Sequence, residues 1–174
     1  NKTYYKNLED ADLKGKRFGV IKALKEDSLY IRAIKDLEKA GAEIVEFEAE
    51  DIDLPNFLRL LNLDMKKDLP AYLKNYGGDV EYKNVQDVVD YNNLDTLSRA
   101  PYGQALFLGI IEDSASEEEF SAIKDTLKTS GRRFFEKPMS EHNLDAVLSI
   151  NNYHAGYAAV AKYPAITVPM GYTN

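Results

Sequence analysis

Between Arg17 and Ile21 the bulky residues Phe18, Val20 and Ile21 follow Gly15 and its flanking lysines, the pattern of a short buried strand. Helical spacing takes over at Tyr30, Ile34, Leu37 and Ala40, with Ser28 placed to cap the start and Gly41 where a helix exits through a left-handed residue. Ile44, Val45 and Phe47 form the next apolar run. Strand, helix and strand in so short a span make one βαβ unit, with parallel strands and a right-handed crossover. The fold class is therefore α/β.

After Asp53 the periodicity becomes helical. Phe57, Leu60 and Leu61 give one stripe and Met65, Leu69, Tyr72 and Leu73 another, with a break or a fresh start expected at Pro70. Tyr76, Gly77 and Gly78 punctuate the chain, and Val85, Val88 and Val89 behind Asn84 predict a short helix. Tyr102 to Ile111 is almost wholly apolar after Gln104 and reads as a buried helix. Ser116 and Glu119 stand in the capping-box relation, and Phe120, Ile123 and Leu127 carry a helix to about Phe135. Leu144 to Ile150 reads as a second strand run, Tyr153 to Lys162 as a short helix, and Ala165 to Val168 as a third strand run closed by Pro169 and Gly171. The expectation is a single helix-rich domain over residues 1–174, its mixed sheet holding the parallel βαβ unit.

The chain has 174 residues and a formal charge of −7, with 44% hydrophobic and 29% charged residues, so it is long enough to bury a core. Its acidity gives no counterion-release drive toward nucleic acid or anionic membranes, and neither is expected as a partner. The absence of cysteine removes disulfides, thiolate nucleophiles and Cys-ligated metal sites. The longest apolar stretch, Ala105 to Ile111, is far below the ~20 residues of a membrane span. A cytoplasmic location is expected.

Candidate chemistry is sparse. His142 and His154 lack metal-ligand spacing, and Glu48, Glu50, Asp51 and Asp53 read as a solvated loop, so neither metal nor cofactor is expected. No GxGxxG, P-loop or GxSxG pattern occurs. Ser121 and Lys124 match the SxxK spacing but fall inside a helix that begins at Ser116, so Ser121 is read as a bystander. Polar groups gather instead at element ends: Tyr102 and Gln104 after Pro101, and Asn151, Asn152 and Tyr153 with His154 after a strand. Ligands of α/β sheets lodge at the carboxyl ends of strands, which makes Tyr102, Gln104, Asn151, Asn152 and Tyr153 the substrate-binding candidates.

Ala158 to Gly171 resembles a segment near the C-terminal end of the amidase signature family, hydrolases that use a Ser-cisSer-Lys triad. Leu13 to Val20, Pro101 to Gln104 and Leu144 to Leu148 fall in the order that family places them, and Val85 to Asn93 resembles the stand-alone amide hydrolases. The resemblance implies part of the larger amidase signature fold, acting on a small amide substrate. It also implies that the catalytic lysine and the serine- and glycine-rich segment lie upstream of the Arg17 strand, in an N-terminal half that these residues do not include. No catalytic residue carries over. The expectation is a C-terminal portion that shapes the pocket and is inactive alone, with a dimer through exposed apolar surface. Ser149 to Asn152 departs from the proline and small residues of many relatives. The competing expectation is a free-standing α/β ligand-binding or interaction module without catalysis.

Overall fold

The computed structural model describes residues 12–172. Its elements run β1 (Arg17–Ile21), a 3-10 turn (Lys22–Leu24), α1 (Ser28–Lys39), β2 (Glu43–Phe47), α2 (Phe57–Tyr76), α3 (Val85–Asn93), α4 (Thr96–Arg99), α5 (Ala105–Glu112), α6 (Glu117–His142), β3 (Ala146–Leu148) and α7 (Ala155–Ala161). They fall into two compact units, one made of the residues up to Asp53 and from Lys128 onward, the other of Leu54–Leu127.

In the first unit the strand order is β2-β1-β3, with β1 parallel to both neighbours. The expected α/β class and βαβ unit are present. The expected mixture of strand directions is not, since the described sheet is parallel throughout: α1 returns the chain to the end of the sheet where β1 began, and β3 adds beside β1 in the same sense.

Strand alternation splits the core into two layers. Val20 of β1 packs with Tyr30 and Ile34 of α1, joined by Ile44 and Leu148 from the flanking strands. Ile21 and Phe47 point to the other face, where Phe134 of α6, Leu144 and Val147 complete the layer. Gly19 sits on this second face because nothing larger fits: a Cβ there would lie 2.5 Å from Leu144 Cδ1 and 3.0 Å from Phe47 Cε1.

Local chemistry explains where elements start and stop. The cap of α1 is Asp27, not Ser28: its carboxylate accepts from Tyr30 N at 2.9 Å, and Ser28 is the first helical residue. Gly41 takes the left-handed conformation expected of it, at φ 95°. Asp145 binds the start of β3 to β1, accepting from Arg17 N at 2.8 Å and Lys16 Nζ at 3.0 Å; the Arg17 N–H chiefly holds its carboxyl below the usual range. Arg17 in turn donates to the His142 carbonyl at the end of α6, where a cation opposes the helix dipole. That helix passes Pro138 and ends at His142, beyond the expected Phe135. Gly131 lets α6 approach α7, and a Cβ there would lie 2.7 Å from the Tyr157 carbonyl oxygen. Ala165 to Val168 forms no strand and pairs with none of the described strands; Ile166 is 89% exposed and Val168 63%.

The second unit is helical. α2 runs unbroken through Pro70, which removes one hydrogen-bond donor without ending the helix. Asn84 and Asp87 cap α3 reciprocally. Ser116 Oγ accepts from Glu119 N at 3.1 Å, whereas the Glu119 carboxylate goes to Arg59, so only half of the expected capping box forms. α5 starts at Ala105 and buries only Ile110, since α2 and α3 cover one side of a helix that is apolar all round. Its C-terminal carbonyls are held by cations of α2, with Lys66 Nζ 2.8 Å from both Ile111 O and Asp113 O and Arg59 reaching Ser114 O at 2.7 Å. No helix among the described residues is long and apolar enough to cross a membrane.

Candidate functional site

The order β2-β1-β3 creates a point where successive connections leave the sheet on opposite faces. From β1 the chain passes to α1, which packs on the Val20 face; from β3 it passes to α7, whose Tyr157 packs on the Phe134 face. Ligands of parallel sheets lodge at the carboxyl ends of strands, here those of β1 and β3. Tyr30, 1% exposed, bridges these ends: its hydroxyl accepts from Ile21 N at 3.2 Å and donates to Leu148 O at 3.0 Å. Burial pushes the phenol pKa up, partly offset by the Ile21 N–H, so the group stays protonated.

Beyond Leu148 lies the loop that carries three of the candidate residues. Asn151, at φ 50°, turns the chain, Tyr153 N donates to Ile150 O at 3.3 Å, and Asn151, Asn152 and Tyr153 are all exposed. Across the neck of this loop Ser149 Oγ and His154 Nδ1 are 2.6 Å apart. The imidazole stacks on Phe134 with centroids 5.1 Å apart, Phe134 stacks on Tyr157 at 4.2 Å, and the Tyr157 hydroxyl donates to Ile52 O at 2.7 Å. Burial lowers the His154 pKa, favouring the neutral ring that accepts from a hydroxyl.

That shift has a sign in stability. An unfolded histidine titrates near ~6.5, so between this value and the depressed native one the unfolded chain binds more protons. Stability is therefore expected to fall as pH drops below about 6.5, levelling once pH passes the native pKa. Denaturant titrations from pH 8 to 5 should show this component in the wild type and not in His154→Phe.

The other two candidates belong to the helical unit. Gln104 Oε1 accepts from Asn92 Nδ2 at 3.1 Å and its Nε2 donates to Asn93 Oδ1 at 2.8 Å, so the amide staples the loop to α3. Tyr102, two residues earlier in the turn closed by Gly103, is 101% exposed. Asn151, Asn152 and Tyr153 thus share one loop, and Tyr102 and Gln104 another.

What these groups can do is recognition. Carboxamides and phenols both donate and accept hydrogen bonds. Lys124 is not beside Ser121 as a base: its ammonium pairs with Asp64 at 3.2 Å and lies 3.8 Å from the Phe120 ring centroid. A separate cleft of about 280 Å³ beside β2 and α6 is charged but self-neutralised, Glu50 being bound by Arg133 and Lys137 and Glu48 by Lys22. The periodicity placed Tyr30 only as a core residue and gave His154 no role. A Ser and a His bracketing an Asn-Asn tip directly after a strand was the available signal.

Comparison with known proteins gives this arrangement a context. No protein-family model matches the chain. A protein named as a probable amidase in Arabidopsis thaliana is 28% identical over 184 residues, taking in 98% of this chain and 35% of the relative. An amidase family protein from Bacillus anthracis str. Ames superposes with a TM-score of 0.80 and 27% identity, over 92% of this chain and 32% of that one. The chain is homologous to amidases. The native peptide amidase of Stenotrophomonas maltophilia shares the fold, with a TM-score of 0.77 at 22% identity over all of this chain and 40% of its own. This amidase homologue spans about a third of the length of the first two relatives.

Proposed function

We propose that the chain is the C-terminal portion of an amidase that hydrolyses carbon–nitrogen amide bonds by serine acyl transfer, and that it supplies walls of the substrate pocket. The supporting observation is the alignment with the Arabidopsis relative, which runs over 98% of the chain. In the reaction a serine hydroxyl attacks the amide carbonyl, its proton passing through a second serine to a neutral lysine, while backbone N–H groups hold the oxyanion. The reacting groups belong to an N-terminal half. Asn151, Asn152 and Tyr153, in the loop after β3, orient the amide and exclude water, and Tyr102 on its Gln104-stapled turn is a separate substrate-binding candidate of the helical unit.

The stand-alone chain is expected to leave N-acetylphenylalaninamide intact and to take no label from a fluorophosphonate. The product of the complete reading frame is expected to cleave the one and react with the other. An inert complete product, or labelling of Ser121 or Ser149 in the stand-alone chain, overturns the reading.

A further inference from the structure

We infer that the cleft beside β2 and α6 is a binding site for an acid on an apolar body, whose carboxylate settles on Arg133 and Lys137 by displacing Glu50, the chain's own occupant. The site lies wholly in the first unit and does not depend on which bond the complete protein cleaves.

Three observations converge on it. A carboxylate is already in place. The composition of the segment after β2 suggested a solvated loop, yet Arg133 grips Glu50 as a fork, Nη2 on one oxygen and Nε 3.3 Å from the other, and Lys137 Nζ adds a third donor at 3.1 Å. In this arrangement a guanidinium receives a carboxylate of any origin. The hydrogen bond from Lys137, joined by that from Arg133, holds the Glu50 carboxyl below the usual carboxylate range, so these donors favour the anion.

A cavity adjoins the fork. On α6 the cations Arg133 and Lys137 stand one turn apart, and Phe134 and Pro138 form the neighbouring row at the same spacing. Both rows line the cleft of about 280 Å³, and Phe47 of β2 joins the apolar one. A bridge that only tied loop to helix would need no apolar hollow next to it.

The occupant is also loosely held. Side-chain exposure is 31% for Glu50, 61% for Arg133 and 49% for Lys137, so water screens the pairing and Glu50 leaves with little penalty. Charge then favours a replacement over an empty fork. Glu48 is matched by Lys22 and Glu46 by Lys25, so an outward Glu50 leaves Arg133 and Lys137 facing only Glu141 among the lining carboxylates. An incoming carboxylate restores the balance, and an aromatic or branched alkyl body covers the apolar row. A neutral amide of the same shape lacks the charge that two cations call for.

The test titrates the isotope-labelled 174-residue chain by NMR with 3-phenylpropionate, 3-phenylpropanamide and acetate. In the wild type 3-phenylpropionate is expected to shift the Arg133 Nε–H and Phe134 ring signals and to move the Glu50 carboxyl carbon toward its solvated position. The amide and acetate should each bind about tenfold more weakly, the first for want of charge and the second for want of a body. Glu50→Gln removes the competing anion while keeping the shape of the side chain, and should tighten 3-phenylpropionate about fivefold, the scale of one exposed ion pair. Arg133→Gln should weaken it about tenfold. Val20 and Tyr30 signals like those of the wild type show that a variant is folded. A wild type that does not respond to 3-phenylpropionate makes Glu50 a fixed tie and overturns the inference. Equal binding of acid and amide overturns it too, as does a Glu50→Gln that binds no tighter or a folded Arg133→Gln that binds as well as the wild type.

Discussion

Gly131→Ala is expected to destabilise the sheet unit by about 2 kcal/mol, although alanine is the better helix former by about 1 kcal/mol. The new Cβ would lie 2.6 Å from Val160 Cγ2, 2.7 Å from the Tyr157 carbonyl oxygen and 2.9 Å from Ala161 N. Two of those three atoms are backbone, so no side-chain rotation relieves the overlap and α7 must move off α6. The displacement reaches Phe134 and Tyr157, the rings behind His154. Gly109→Ala is the control. It is also a helical glycine, but its Cβ would meet only Asn62 Nδ2 at 3.5 Å, and a gain of up to about 1 kcal/mol is expected. Urea unfolding of both variants checks the pair; equal effects would mean that the α6–α7 approach is looser than these distances.

Tyr30→Phe should cost about 1–3 kcal/mol while removing a single oxygen, because it leaves the Ile21 N–H and the Leu148 carbonyl without their partner between the strand ends. Tyr30→Ala adds a cavity at a site 1% exposed and should cost about 3–5 kcal/mol. Amide exchange separates the two terms. Tyr30→Phe should speed exchange at Ile21 N selectively, with the register of β1 against β2 intact, whereas a uniform increase through the sheet would show that the phenol is only a packing residue.

Local pattern carried far where the deciding forces are local. Phe18, Val20 and Ile21, the spacing from Tyr30 to Ala40, and Ile44 to Phe47 gave the βαβ unit, because side-chain alternation and helical repeat are properties of adjacent residues. Asn84, Ser116 and Gly41 act where their chemistry placed them. The misplacements have a common origin. Asp27 and Ser28 are both good caps, and the choice went to the residue whose carboxylate reaches Tyr30 N. Pro70 and Pro138 carry a local penalty that the surrounding helices absorb. Ala165 to Val168 has the composition of a strand, yet a strand exists only where another edge accepts its hydrogen bonds.

The candidate site divides in the same way. Asn151, Asn152 and Tyr153 could be placed at a strand end because a strand end is a local event, and Gln104 could be named as polar at a helix start. Its engagement with Asn92 and Asn93 could not be read, since hydrogen-bond partners follow from how loops fold back.

By itself the sequence determined the α/β class, the parallel βαβ unit, the polar loop after the last strand and the resemblance to amidases, all consequences of neighbouring residues and their order. Only the tertiary structure decided that the Tyr30 hydroxyl bridges the ends of β1 and β3 and that His154 meets Ser149 on one side and Phe134 on the other. Tyr30 is 118 positions from Leu148, and no periodicity spans that interval. Such contacts form when burial of two sheet faces brings distant segments together, and a buried hydroxyl or imidazole must then find its partner.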